Sequence, residues 1–597
     1  MANVLRVDVL KMTTAAGSGH PTSCFSVAEI ISTLFFDEMS YDIKNPYNPD
    51  NDEFILSKGH AAPILYSSLF RAGCIKHNLM YLRKLTSPLE GHPVPKSLNW
   101  IKVATGSLGQ GLSVGVGMAL ASKMQKRNFK TYVLMGDSEI MEGSVYEALE
   151  IAAHYKLNNL VAIVDVNRLG QRGETILGHN ISAYRMRFRG FGLNVITING
   201  HDIQEIKSAL NNARKSKKPT VIIAKTFKGK GVSFLENKED WHGKVLNKEE
   251  LDLALSELPN PKIHKIRISK PRKIKFRSSI KSFKPNNYNP GDEVSTREAY
   301  GKALAKLAER NSSVIATDAE VSNSTKAGEV KKLTPKQFIE GFIAEQNLIG
   351  MSLGLSKKGF NVFASSFAAF LSRAHDQIRM AAISSASFTL SGSHAGVSIG
   401  EDGASQMGLE DIGMMRSLPD SIVLYPSDAV STEKLIQLSS KLKKGIRYIR
   451  TTRSQTPVLY KNTENFPLGN FKVPFQSRKD KLVVAGSGIT THEAIKAYHE
   501  LKKKGFNISV VDLYCIKPFN ARRFESFIKK HGKKIIIVED HYKEGGIGEM
   551  LAEALENSNI KIKHLAVSEI PHSGTSEQLL DKYKINWKAI VNEAKKI

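Results

Sequence analysis

A chain of 597 residues is long enough for roughly three or four domains with cores of their own. Hydrophobic content of 41% and charged content of 24% are ordinary for a soluble globular protein, and no apolar run approaches membrane-spanning length. Three scattered cysteines, Cys24, Cys74 and Cys515, show neither a disulfide framework nor metal-ligand spacing, while a formal charge of +27 leaves anionic partners open.

The amino terminus, MANVLRVDVLKMTTAAG, lacks the basic-then-apolar order of a secretory signal, so a cytoplasmic protein with reduced thiols is expected. From there to about Trp241-His242, strand-like apolar runs alternate with helical patterns and glycine-rich turns, as in a parallel sheet covered by helices. Three polar-glycine clusters stand near the start: GSGHP at Gly17–Pro21, SKGHAAP at Ser57–Pro63 and EGHPV at Glu90–Val94. Each sets a histidine beside a flexible glycine, which suits a loop reaching into a site. A lone histidine is more often a surface or core residue; three in Gly-His turns are harder to dismiss. ATGSLGQGLSVGVGMA at Ala104–Ala119 opens a helix with glycines whose backbone can approach a phosphate or ring, although such helices also pack without ligands.

The stretch Thr131–Gln171 is the most definite. TYVLM is a strand-forming run stopping at Gly136-Asp137, Glu142 to Tyr155 is apolar at helical spacing, and NLVAIVDV is a second strand ending at Asn167. The two strands of such a unit lie parallel, so Asp137 and Asn167 emerge at the same carboxyl-terminal edge, where open α/β sheets bind ligands. One carboxylate, one amide oxygen and a nearby backbone carbonyl suit a hard divalent cation such as Mg2+. A helix amino terminus just after Asp137 is expected to favour phosphates. The plainer assignment makes Asp137 an N-cap and Asn167 a turn residue.

Lys262 to Lys284 contains ten Lys or Arg and no acid. Such a run either binds nucleic acid or a membrane surface, or is a solvated linker. Pro271, Pro285 and Pro290, and the absence of zinc-finger, heptad or glycine-aromatic patterns, favour the linker. From about Gly291 to Leu468 the α/β style resumes, with SVIATDAE, FNVFASS, DSIVLYPSD and RYIRTTR as strand-like runs. Within FIEGFIAEQNLIGMSLGLS, Glu345 starts a helical pattern, a position the helix dipole alone would favour. Phe367 and Phe370 stand at helical i, i+3 spacing, usually a core feature but also a wall for a ring to stack on. His394, Asp402 and Gln406 fall in the glycine-rich SGSHAGVSIGEDGASQ, while Arg297 and Arg453 offer planar charged forks. From about Lys481 the chain again reads as parallel α/β; its GSG and GGIGE turns fall short of a dinucleotide fingerprint.

Gly-Asp followed thirty positions later by Asn resembles a thiamine diphosphate motif. GDSEIMEGSVYEA, DVNRLGQ, the three Gly-His clusters, AKTFKGKG at Ala224–Gly231, WHGK at Trp241–Lys244 and IAEQN around Glu345 together resemble transketolase, in wording the shorter animal-type enzymes. The resemblance covers nearly the whole chain. It implies three parallel-sheet α/β domains, with the thiamine diphosphate-binding fold in the first two: a diphosphate- and metal-binding domain at 1–262, a basic linker at 263–290, a pyrimidine-binding domain at 291–468 and a carboxyl-terminal domain at 469–597 that carries no catalytic residue.

By the same resemblance, Asp137, Asn167 and the Leu169 carbonyl hold Mg2+, with Ca2+ or Mn2+ as substitutes. Ser23, Lys58, His60, Gly106, Leu108, Ser138, Gln171, Lys228 and His242 join them around thiamine diphosphate, as do Glu345, Phe367 and Phe370 from the second domain. His20, Arg297, Ser324, His394, Asp402, Gln406 and Arg453 face the substrate, and His20, His92, His242 and Glu345 are the implied catalytic groups. A buried Glu345 kept protonated by desolvation would donate to the pyrimidine and so help generate the C2 carbanion. The implied reaction is reversible two-carbon ketol transfer from a ketose phosphate such as xylulose 5-phosphate to ribose 5-phosphate or erythrose 4-phosphate, in the pentose phosphate pathway. The implied assembly is a homodimer with active sites at the subunit interface, with no membrane or specific nucleic-acid partner. Ser138 stands where the motif has its second glycine, His375 where an aromatic residue is usual, and Ser322 where a basic one is expected. A related thiamine diphosphate enzyme and a catalytically silent scaffold remain the alternatives.

Overall fold

A computed structural model of the chain describes residues 1–259, 266–276 and 278–596, which group into two compact units. The boundary expected between 262 and 263 lies outside the described residues.

The first unit comprises Met1–Arg277 with Ile349–Lys358 and Ile383–Ser385. Its sheet has five strands in the order Glu53–Leu56, Thr131–Gly136, Leu160–Val166, Thr220–Lys225, Asn194–Asn199, and every neighbouring pair is parallel. Leu160–Val166 is buried along its whole length, which explains a run of branched apolar residues rather than an alternating one. Because the strands are parallel, their carboxyl ends share one edge. That edge carries Ser57–His60, Asp137, Asn167 and the turn from Thr226 to Lys228. The helix expected from Glu142 to Tyr155 spans Gly143–His154. It does not begin directly after Asp137: a 3-10 turn, Glu139–Met141, intervenes. Glu139 is the physical reason. Its buried carboxylate accepts the backbone N–H groups of Gly136 and Gly109, both at 2.9 Å, and the Ser57 hydroxyl, and so fixes the chain at this corner before the helix starts.

The basic segment after the first unit's sheet does not run free where it is described. Tyr41 N donates to Ser269 O at 2.9 Å, and Ile274 N donates to Asp50 Oδ2 at 3.0 Å. Arg127 Nη1 donates to Ile274 O at 3.1 Å while paired with Asp50 Oδ1, and both partners of that pair are nearly buried. One ion pair thus caps both polar groups of a residue in an otherwise irregular strap.

The second unit comprises Ser278–Leu348, Gly359–Ala382 and Ala386–Ile597. Its larger sheet runs Cys515–Lys517, Ile422–Leu424, Arg447–Arg450, Thr389–Ser393, Asn361–Phe367, Val314–Asp318, Phe338–Glu340, parallel except at the Cys515–Lys517 edge. The smaller sheet runs Lys472–Phe475, Ser509–Asp512, Val483–Gly486, Lys534–Tyr542, Lys561–Val567, antiparallel only at its first pair. The last stretch of the chain therefore lends a strand to the sheet before it. Phe367 ends a strand and Phe370 begins a 3-10 turn, so the pair does not share a helix face as its spacing suggested. The turn itself brings the rings together. Among the described residues no helix is long and apolar enough to cross a membrane.

Breaking the buried Asp50–Arg127 pair with Asp50→Ala is expected to cost about 3 kcal/mol and to release the strap. Trypsin cleavage at Lys270–Lys275 should then accelerate about tenfold or more, as locally opened segments are cut first.

Candidate active site

A cleft of about 760 Å3 opens at the carboxyl edge of the first unit's sheet, lined among others by Ser23, Lys58, His60, Leu108, Asp137, Ser138, Asn167, Leu169, Gln171, Lys228 and His242. His20, Gln171, Arg172, His242 and Lys244 line a second, more open depression that shares Gln171 and His242 with it. At the floor, Lys58 Nζ donates to Asp165 Oδ2 at 2.5 Å and to Ser23 O at 3.1 Å. Asp165 also accepts the hydroxyls of Ser26, at 2.7 Å, and Thr226, and the Asn167 side-chain N–H at 2.9 Å. The last bond fixes which way the Asn167 amide points, and its oxygen accepts Leu169 N at 3.1 Å. Asp137 accepts Ser138 N at 2.9 Å and Arg168 N at 2.7 Å. Arg168 takes a positive φ of 64°, which turns the chain back after the strand so that Leu169 and Gly170 present their carbonyls.

Lys228 is the second buried ammonium of this arrangement. Its Nζ donates to Leu169 O at 3.0 Å, Gly170 O at 2.8 Å and His242 Nδ1 at 2.7 Å. An ammonium proton on Nδ1 leaves the neutral imidazole its own proton on Nε2. Burial first, then Lys58, draws Lys228 down to about 8. Burial pushes Asp137 up to about 7, with Asp165 reinforcing and Lys58 opposing. Asp165 itself is held below the usual range: burial raises it, but Lys58 and its hydroxyl partners outweigh that cost.

Four imidazoles gather above this floor. His20 lies 5.3 Å from His60, 6.5 Å from His92 and 5.1 Å from His242, centroid to centroid, and His60 lies 5.1 Å from His242. Burial, then neighbouring cations, brings His20 down to about 4 and His242 to about 3, and lowers His60 and His92 as well. All four are neutral at physiological pH. His20 Nδ1 is buried without a partner among the described residues. Gly106, at φ 130°, stands where a Cβ would strike the His92 ring at 2.9 Å, so the glycine-rich turn is shaped by that imidazole.

These residues suit the groups expected here. A carboxylate, an amide oxygen and the Leu169 carbonyl are the oxygen donors a hard divalent cation takes. The Leu169 carbonyl already holds a cation, the Lys228 ammonium, and the upward push on Asp137 marks a buried carboxylate that a divalent cation would relieve. Among the described residues no cluster of three His, Cys, Asp or Glu side chains is placed to hold a metal, so backbone and amide oxygens must complete such a set. Lys58, Lys228 and the imidazoles give a diphosphate its charge and donors. Ser138 adopts φ −68° and ψ −37°, an ordinary right-handed backbone, with its side chain exposed. Nothing there requires glycine.

The second unit holds the remaining residues. Phe367 stacks on His394 at 3.9 Å and on Phe370 at 4.9 Å, both pairs 9° from parallel. His394, at φ 58°, meets Ser393 Oγ at 3.0 Å and Arg297 Nη1 at 3.5 Å. Burial, then Arg297 and Arg453, brings it down to about 3. Arg297 also donates to Ser324 O at 3.2 Å, and Arg453 pairs with Asp402 at 3.1 Å and reaches Ile399 O at 3.4 Å. Glu345 is 4% exposed at the first turn of Glu345–Lys357 and accepts a long 3.4 Å bond from Arg373. The Gln406 side chain donates to Ser405 Oγ at 3.5 Å and its backbone N–H to Gly403 O at 3.1 Å, and His375 is exposed.

Asp165, Glu139 and Arg83 were missed in the sequence. Arg83 donates to Ser18 Oγ at 2.6 Å and Gly91 O at 3.4 Å, and so ties the GSGHP turn to the EGHPV turn. An acidic residue inside an otherwise apolar strand, as Asp165 is, was the available signal.

Family models match almost the whole chain: "Transketolase, thiamine diphosphate binding domain" at residues 1–288, "Transketolase, pyrimidine binding domain" at 292–458 and "Transketolase, C-terminal domain" at 472–590. The chain is 48% identical over 606 residues to transketolase-like protein 2 of Mus musculus, covering 100% of this chain and 96% of that protein. It is 46% identical over 598 residues to transketolase of Homo sapiens, covering 99% and 95%. Among solved structures, transketolase from Campylobacter jejuni superposes with a TM-score of 0.88 at 26% identity, covering 100% of this chain and 99% of that one.

Replacing Asp165 with Ala strands the buried Lys58 ammonium and frees the Asn167 amide. The expected cost is about 3–5 kcal/mol in urea unfolding, that of breaking a buried pair.

Proposed function

The chain belongs to the transketolase family, and on that footing we propose that it is an active transketolase using thiamine diphosphate and Mg2+, with Ca2+ or Mn2+ as substitutes. It moves a two-carbon ketol unit from a ketose phosphate such as xylulose 5-phosphate to ribose 5-phosphate or erythrose 4-phosphate, as in the pentose phosphate pathway. The observation that carries this reading is the convergence of Asp137, Asn167, the Leu169 carbonyl, two lysines and the His60 and His242 imidazoles in one cleft, with the His20 and His92 rings packed beside them. Three domains, at 1–262, 291–468 and 469–597, a homodimer with active sites at the subunit interface, and a cytoplasmic location belong to the same reading.

When bound, thiamine diphosphate supplies a carbon nucleophile for the ketose carbonyl and an electron sink for cleavage of the adjacent carbon–carbon bond. The chain's residues bind and orient. Asp137, Asn167 and the Leu169 carbonyl would hold the cation, and Lys228 would supply positive charge to the phosphate oxygens. Lys58, Ser23, His60, Gly106, Leu108, Ser138 and Gln171 complete the cradle. Glu345 would share a proton between its carboxyl oxygen and the pyrimidine, beside the Phe367 and Phe370 wall.

His20 and His92, being neutral, together with His242, whose Nδ1 is taken by Lys228 and whose Nε2–H is left to donate, meet the sugar hydroxyls and can relay their protons. Arg297, Arg453 and Ser324 take the terminal phosphate, for which Arg453 must exchange Asp402, while His394, Asp402 and Gln406 line the sugar.

A coupled assay with xylulose 5-phosphate and ribose 5-phosphate, run beside calorimetry with thiamine diphosphate and Mg2+, tests the proposal. Uptake of cofactor without turnover would instead favour a silent relative. Glu345→Gln is expected to keep cofactor uptake and to lower turnover about 10²–10⁴-fold, the range of a lost proton-transfer group. Activity like the wild type would refute that role.

A further inference from the structure

The loop from His394 to Gly408 is closed at its neck. Gly396 N donates to Gly408 O at 2.8 Å, and Gly408 N donates to His394 O at 3.4 Å. One guanidinium grips that neck. Arg450 Nη2 donates to the same Gly408 O at 2.8 Å and to Asp540 O at 3.0 Å; Nη1 donates to Asp540 Oδ1 at 2.9 Å and Nε to Asp411 Oδ2 at 2.8 Å. The Tyr425 ring lies 4.6 Å from the guanidinium carbon, and its hydroxyl donates to Asp540 Oδ2 at 2.9 Å. Arg450 and both aspartates are buried. Asp540 also stands directly against the loop. A Cβ on Gly396, at φ 75°, would fall 1.9 Å from Asp540 Oδ2. Farther along, a Cβ on Gly403 would meet Ser573 Oγ at 2.7 Å, so the carboxyl-terminal segment backs the loop twice.

Buried ion pairs contribute little net stability compared with apolar packing, because desolvation offsets their attraction; what such a pair does supply is one fixed geometry. Here the geometry fixed is that of the loop carrying His394 and Asp402. We propose that Asp540, from the carboxyl-terminal segment, is a positioning residue for the ketose phosphate: through Arg450 and Gly396 it sets the neck of the 394–408 loop, and hence where His394 and Asp402 stand toward the sugar. The inference rests on the reading that this loop faces the substrate.

Asp540→Asn keeps the shape and removes the charge, and Tyr425→Phe removes one donor to Asp540 while leaving the ring in place. Two donors separate positioning from general damage: xylulose 5-phosphate, and hydroxypyruvate, a ketol donor with no distal hydroxyls or phosphate. Asp540→Asn should raise KM for xylulose 5-phosphate about tenfold, with kcat within about threefold and KM for hydroxypyruvate within about twofold. Tyr425→Phe should show the same selectivity at about threefold, the size of one lost hydrogen bond. Equal losses with both donors, or no change with either, would overturn the proposal. Hydrogen exchange across residues 394–408 is the independent arm. Exchange about tenfold faster in Asp540→Asn, with Asn361–Phe367 unchanged, supports the clamp, and unchanged exchange in the loop overturns it. If the wild type turns over neither donor, the transketolase reading fails, while exchange still decides the clamp.

Discussion

The contact on which the first unit's site depends is the buried pair between Lys58 and Asp165, 1% and 0% exposed. Neither charge could stay ionised there alone, since burial of an unpaired ion costs many kcal/mol. Once paired, Asp165 spends its remaining lone pairs on Ser26, Thr226 and Asn167. Three separate pieces of chain, those of Lys58, Ser26 and Thr226, are thereby drawn to the end of one strand. Asn167 is aimed by that carboxylate, and Asp137 is raised by it.

The strands and the helix around Asp137 were legible because periodicity and length report which face a segment buries. TYVLM and NLVAIVDV emerged as neighbouring parallel strands, and Asp137 and Asn167 as residues of one edge, from local pattern alone. Asp165 was not legible. Its partner Lys58 lies 107 residues away, and no local rule states which distant charge will answer a carboxylate in a strand. Glu139 was hidden for a related reason: its role is to accept N–H groups from Gly136 and Gly109, which only the folded corner brings together. Phe367 and Phe370 show the opposite failure. Their spacing suggested a helix face, yet they stack across the end of a strand and a tight turn. The basic segment was read from charge as solvated, but charge pattern is blind to the Asp50–Arg127 pair that pins it.

The imidazoles show how strongly the folded surroundings rewrite a residue's chemistry. In isolation each would titrate near neutrality; in place, burial and the nearby lysines and arginines drive His20, His242 and His394 to about 3–4. They are therefore not the positive charges of the site. In the first unit that part falls to Lys58, Lys228 and Arg83, and in the second to Arg297 and Arg453 beside His394; burial, with these cations, keeps each imidazole neutral and its ring nitrogens divided into one donor and one acceptor. A polyhydroxylated ligand needs that division, because every hydroxyl both gives and takes a hydrogen bond. The same principle governs the loop above Phe367. A neutral His394, stacked on an aromatic ring and held at a positive φ, offers direction and not charge, and direction is worth something only if the backbone beneath it cannot shift. A buried guanidinium with five hydrogen-bond donors in a rigid plane is well suited to deny that shift, and Arg450 holds the neck of the loop through Gly408 O.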